Sequence, residues 1–93
     1  MSAERYGEVI ADVARGVQLH YDNAGSPDPD LDLLLGDQSY ASGLRRLAAI
    51  GDLDEIARLA DLISAVAQAH AEGDHERGAR LLREAQARLG AAA

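Results

Sequence analysis

The sequence predicts an all-α fold, an antiparallel bundle of about four helices forming one domain over residues 1–93, on three observations. Apolar residues recur at three- and four-residue steps through almost the whole chain, the spacing that lines one face of an α-helix. Gly-Asp pairs at Gly51-Asp52 and Gly73-Asp74 each combine a helix-ending glycine with a helix-starting aspartate. No stretch alternates apolar and polar residues as a half-buried strand would.

The first helix is expected from Ala3 to about Asp22, with Tyr6, Val9, Ile10, Val13 and Val17 on its apolar face and Gly7, Ala11, Ala14 and Gly16 small enough to admit a neighbouring helix closely. Asn23 to Pro29 holds two prolines, a glycine and turn-forming Asn, Asp and Ser, so the chain breaks there. Pro29 suits the first turn of the second helix, where its missing N–H costs nothing. That helix is expected to end at Ile50, about 33 Å away at 1.5 Å per residue, burying Leu31, Leu34, Leu35, Ala41, Leu44, Leu47 and Ala48. Gly36-Asp37 inside it permits either a continuous helix or a local break, since a mid-helix glycine costs only about 1 kcal/mol against alanine. The third helix, Leu53 to Glu72, has a very broad apolar surface, and Ile56, Leu59, Ile63 and Val66 on it form a candidate interaction surface. The fourth runs from His75 to Leu89; Arg77, Arg80, Arg83 and Arg88 give it a basic face, of which Arg80 and Arg83 complete the candidate interaction surface.

A chain of this length buries only about 60 to 65 per cent of its unfolded surface, so a partner surface is expected to contribute to its stability. The chain contains no cysteine, which removes disulfides and thiolate metal sites. A net charge of -7 opposes binding to a nucleic-acid backbone or an anionic membrane. No apolar run approaches the roughly 20 residues that cross a bilayer, so no membrane insertion and a cytoplasmic location are expected. All nine basic residues are arginine, a usage that suits a bacterium with a GC-rich genome.

Little in the sequence carries standard chemistry. Asp28, Asp30 and Asp32 alternate, but a calcium loop of the EF-hand kind would need a glycine and a carboxylate where Leu33 and Ser39 stand, so they read as helix-capping aspartates. His70, Glu72, Asp74 and His75 span a helix end without the same-face i, i+4 spacing of helical zinc sites, and read as a solvated turn. There is no phosphate loop and no nucleophile–base arrangement. No metal or cofactor is therefore expected, and no catalytic residue is assigned.

Leu33 to Ala41, with its internal Gly36-Asp37, flows through Leu44, Leu47 and Ala48 to Gly51-Asp52, and this run resembles one helix of the polyprenyl diphosphate synthases. Leu19-His20-Tyr21-Asp22 resembles, in degenerate form, the His-Asp-Asp element that ends an earlier helix of that family. The resemblance covers about Val9 to Glu72 and implies part of the isoprenoid synthase helical core. It marks His20, Asp22, Gly36 and Asp37 as remnants of the family motifs. The family's aspartate-rich motif holds magnesium for an allylic diphosphate; here Tyr21 stands where its first aspartate belongs and only Asp22 remains. One carboxylate cannot supply the oxygen ligands a magnesium cluster needs. The resemblance thus implies a shortened, non-catalytic relative, similar to the accessory component of heptaprenyl diphosphate synthase, whose partner is a prenyltransferase subunit or a second copy of itself. Two alternatives stand beside it. One is a scaffold or adaptor built on a single tetratricopeptide-like hairpin around Gly73-Asp74, binding through Arg80 and Arg83; the other is a residual diphosphate- or magnesium-binding protein using His20, Asp22 and Asp37.

Overall fold

A computed structural model describes residues 2–91, with side chains described for residues 5–90. Four helices follow one another: α1, Ser2–Tyr21; α2, Pro29–Ile50; α3, Leu53–Ala71; α4, His75–Ala91. No strand occurs among the described residues. α2 is continuous through Gly36-Asp37, which resolves the alternative the sequence leaves open.

The connections follow from turn chemistry. Asn23 and Ser26 close the first loop by a backbone hydrogen bond, and Gly25 takes the left-handed φ of 82°. Asp28 then caps α2 by accepting the Leu31 N–H at 3.1 Å, with Pro29 behind it. Both Gly-Asp turns are built alike. Gly51 and Gly73 adopt positive φ, the following N–H of Asp52 reaches back to the Leu47 carbonyl, and that of Asp74 reaches the Ala69 carbonyl. Each aspartate side chain then accepts from the N–H three residues on, Glu55 or Arg77, and so starts the next helix.

Antiparallel pairing is read directly from the contacts. Arg46 near the end of α2 bonds Asp12 and Glu8 of α1, whereas Gly36 lies against His20 near the end of α1. Glu55 at the start of α3 bonds Arg88 at the end of α4. α1 also packs on α4, closing the bundle, and the α1–α2 contact is the most extensive. The core is Tyr6, Val9 and Val13 of α1, Leu47 of α2, Leu59, Leu62 and Val66 of α3, and Ala85 and Leu89 of α4.

One stripe differs from the sequence expectation. α2 buries Gly36, Ser39, Tyr40, Gly43 and Leu47, while Leu31 and Leu34 are 47% and 61% exposed and Ala41 and Ala48 also face outward. The reason is space. A Cβ on Gly36 would sit 3.2 Å from the Gly16 carbonyl oxygen of α1, and one on Gly43 would touch Asp12 and Val13. At Gly36 and Gly43 helices this close leave no room between them for leucine, so Leu31 and Leu34 turn out, while Leu35 and Leu44 stay half-buried and Leu47 is buried in the core as expected.

Candidate functional site

All three histidines and two of the three tyrosines meet at one end of the bundle. Their rings form an unbroken series drawing on every helix. Tyr40 of α2 lies 5.2 Å, centroid to centroid, from His20 of α1, and His20 lies 5.7 Å from Tyr21. Tyr21 stacks on His70 of α3 at 3.9 Å with the planes 3° apart, and His70 lies 4.7 Å from His75 of α4.

The helix ends place these rings. His20 and Tyr21 close α1, His70 is in the last turn of α3, and His75 is the first residue of α4. Glycines then let the rings settle against backbone. Gly36 takes the edge of the His20 ring, Gly16 the ring of Tyr40, and Gly78 the ring of His70. Three of the four motif residues singled out in the sequence are thereby brought together. His20 Nε2 lies 2.9 Å from Asp37 Oδ1, an imidazole N–H donating to an exposed carboxylate, and Gly36 supplies the space beneath the ring. Asp22 stands apart from them, on the rim of a cleft of about 340 Å³ between α1, α3 and α4, lined also by Val17, Tyr21, His70, His75 and Leu82.

Electrostatics distinguish the members. Burial raises the phenol pKa of both Tyr21 and Tyr40. Tyr40 is only 7% exposed, and its hydroxyl finds no hydrogen-bond partner among the described residues. Burial first, and the neighbouring His75 second, lower the pKa of His70, so this imidazole is held neutral. Its Nδ1 lies 2.6 Å from Nδ1 of His75. That separation needs one Nδ1 to carry a proton and the other to accept it, so one proton lies between the two nitrogens.

This geometry corrects two sequence readings. His70 and His75 are not simply solvated turn residues, because the Gly73-Asp74 turn folds them onto each other. The signal was the position of each at a helix boundary five residues apart, not a same-face spacing. Tyr21 and Tyr40 were missed as site residues because nothing local in the sequence marks which end of α2 abuts the end of α1. Among the described residues, no three His, Asp or Glu side chains converge in a way that could hold a metal ion.

The candidate interaction surface is also redistributed. Leu59 and Val66 are fully buried in the chain's own core, and Ile56 and Ile63 are half-buried against it, so α3 spends these four residues on its neighbours within the bundle. The outward seam of α3 is instead Leu53, Ala57, Ala60, Ser64, Ala67 and Ala71, all exposed. Arg80 and Arg83 are exposed, as expected. Arg88, grouped with them from the sequence, is drawn away to Glu55, with Nε and Nη2 at 2.9 and 3.0 Å from its two carboxylate oxygens. No helix of the described residues is long and apolar enough to cross a membrane. In comparisons with protein-family models, with curated proteins and with solved structures, nothing matches this chain.

Proposed function

We propose that this chain is a non-catalytic helical interaction subunit, in its specific form an accessory partner of a prenyltransferase. The observation that carries the reading is the placement of apolar side chains: Leu31, Leu33, Leu34 and Leu53 are 40% to 75% exposed, while α2 buries two glycines, Ser39 and Tyr40 and, of its leucines, fully buries Leu47 alone. Isolated exposed leucines are ordinary, but Leu31 and Leu34 lie three residues apart on one face of α2 and together form a patch suited to a partner. The state of the motif residues supports the same reading. His20, Gly36 and Asp37 serve as a contact between α1 and α2, with the carboxylate of Asp37 bonded to His20 and Asp22 turned to a different cleft. That leaves them poorly disposed for a shared magnesium ion.

Co-expression with a prenyltransferase catalytic subunit tests the proposal, read as co-elution and as the chain length of the prenyl product. Association with altered product length is the expected result; no association and unchanged products would sink it. Exposure of Arg80 and Arg83 favours a second reading, an adaptor that docks an acidic partner on α4. Arg80→Glu with Arg83→Glu abolishes partner capture under that reading and leaves it intact under the first. Titration with magnesium and an allylic diphosphate is expected to leave stability unchanged, where a bound ligand near saturation would raise it by about 2 to 3 kcal/mol.

A further inference from the structure

We infer that the outward face of α2 is a self-pairing surface on which a second copy of this chain docks its own α2 antiparallel, with Leu31 of one copy opposite Ala48 of the other, Leu34 opposite Arg45, and Gln38 opposite Ala41. This deepens the interaction-subunit reading by naming the surface and its occupant.

The face is defined by spacing and exposure together. Leu31, Leu34, Gln38, Ala41, Arg45 and Ala48 are all exposed and follow one another at steps of three, four, three, four and three. That alternation is the seam of a two-helix contact, and it runs about 26 Å along the helix. It is continuous because the close approach of α1 and α2 turns the leucines outward. The seam carries one charged residue, Arg45, which has no ion pair among the described residues.

Charge selects the occupant and its direction. Between Gly16 and Leu44 the sequence holds five aspartates and no arginine, so the first turns of α2, with Asp28, Asp30 and Asp32 around Leu31 and Leu34, are strongly negative. Arg45 lies at the other end of the seam. An antiparallel copy brings the Arg45 end of each chain to the aspartate end of the other, twice by the two-fold axis, and opposes the two helix dipoles. A parallel copy would set the three aspartates against themselves. Leu34 meanwhile packs on the aliphatic stem of Arg45 while the guanidinium reaches the aspartates.

The absence of cysteine allows a clean test. Leu31→Cys with Ala48→Cys places the two thiols about 26 Å apart on one helix, too far to join within a chain, so any disulfide links two copies. The proposal expects a covalent dimer joined 31 to 48 under mild oxidation, with Leu31→Cys alone remaining uncrosslinked because its copies lie at opposite ends of the seam. In the unmodified chain, light scattering over a dilution series should give a dimer. Arg45→Glu should weaken it by about tenfold or more, and adding Asp30→Arg should restore it. Crosslinking by Leu31→Cys alone as efficient as by the pair would overturn the register, and so would an uncrosslinked double variant. A dimer untouched by Arg45→Glu but broken by Ala60→Glu would move the interface to α3. A monomer at every concentration would overturn self-pairing altogether, while prenyltransferase co-elution separately decides the subunit reading.

Discussion

Glu55 is 4% exposed, and three guanidinium contacts hold it: both Arg88 bonds and Arg58 at 3.0 Å. The hydrogen bonds from Arg88 are the foremost cause that its pKa lies below the usual value of 4.5, against the opposing effect of burial. Removing one partner of a buried pair strands the other charge. Arg88→Ala should therefore destabilise the fold by about 2 kcal/mol in urea unfolding, short of the 3 to 5 typical of fully buried pairs because Arg58 remains and Arg88 is partly solvated. The pH dependence has a definite sign. A depressed carboxyl pKa contributes stability that is complete above pH 4.5 and is lost as pH falls through the lower folded value, so Glu55→Gln should flatten that acid limb. Tyr40 presents the opposite case, a buried hydroxyl without a partner among the described residues. Tyr40→Phe keeps the ring over Gly16 and removes the unsatisfied group, so it should raise stability by about 1 kcal/mol; a loss of that size would mean that the hydroxyl is hydrogen-bonded in solution.

At the scale of the helix, boundaries were legible and orientation was not. Asp28-Pro29, Gly51-Asp52 and Gly73-Asp74 act through local chemistry, and each turn lies where those residues predict. Which side of α2 is buried depends instead on how near α1 comes, and that is set by Gly16, Gly36 and Gly43 acting across two helices. Hydrophobicity alone favoured the side with more leucine, and close approach turned Leu31, Leu34, Ala41 and Ala48 of that side outward while Leu47 stayed buried. The same residues give a paired test. A Cβ at Gly16 would lie 2.5 Å from the Tyr40 ring, whereas one at Gly7, also in α1, meets nothing within 4 Å among the described residues. Gly7→Ala should stabilise by about 0.5 to 1 kcal/mol through the lower entropy of the unfolded chain. Gly16→Ala carries the same propensity gain but must displace a buried ring, and its net effect should be a loss of about 1 to 2 kcal/mol. Equal thermal shifts for the two variants would mean that α1 and α2 are not in close contact at Gly16.

Across the whole molecule the two ends of the bundle are polar in different ways, and acid should separate them. At one end Tyr6 donates to Asp52 and Arg88 holds Glu55, contacts that ionised carboxylates strengthen. At the other, His70 is kept neutral between Tyr21 of α1, Gly78 of α4 and His75, with Asp22 on the cleft rim and Glu72 bonded to Arg77 nearby. No sequence signal announced this division, because it arises only when the fold brings the histidines of α1, α3 and α4 to the same end. A histidine whose folded pKa is depressed contributes stability that is complete above 6.5 and is lost as pH falls through the folded value. Protons on both facing Nδ1 atoms would also turn the hydrogen bond at 2.6 Å into a repulsion. The histidine end should therefore loosen at a pH where the Glu55 end, stable until pH approaches 4.5, still holds. Amide hydrogen exchange between pH 7.5 and 5.5, corrected for intrinsic rates, should show protection falling at the ends of α1 and α3 and the start of α4 before it falls around Glu55 and Arg88. In His70→Phe, which keeps a flat ring over Tyr21, that early loss should vanish. Simultaneous loss at both ends, or an unchanged profile in the variant, would mean that the histidine pair does not govern the acid response.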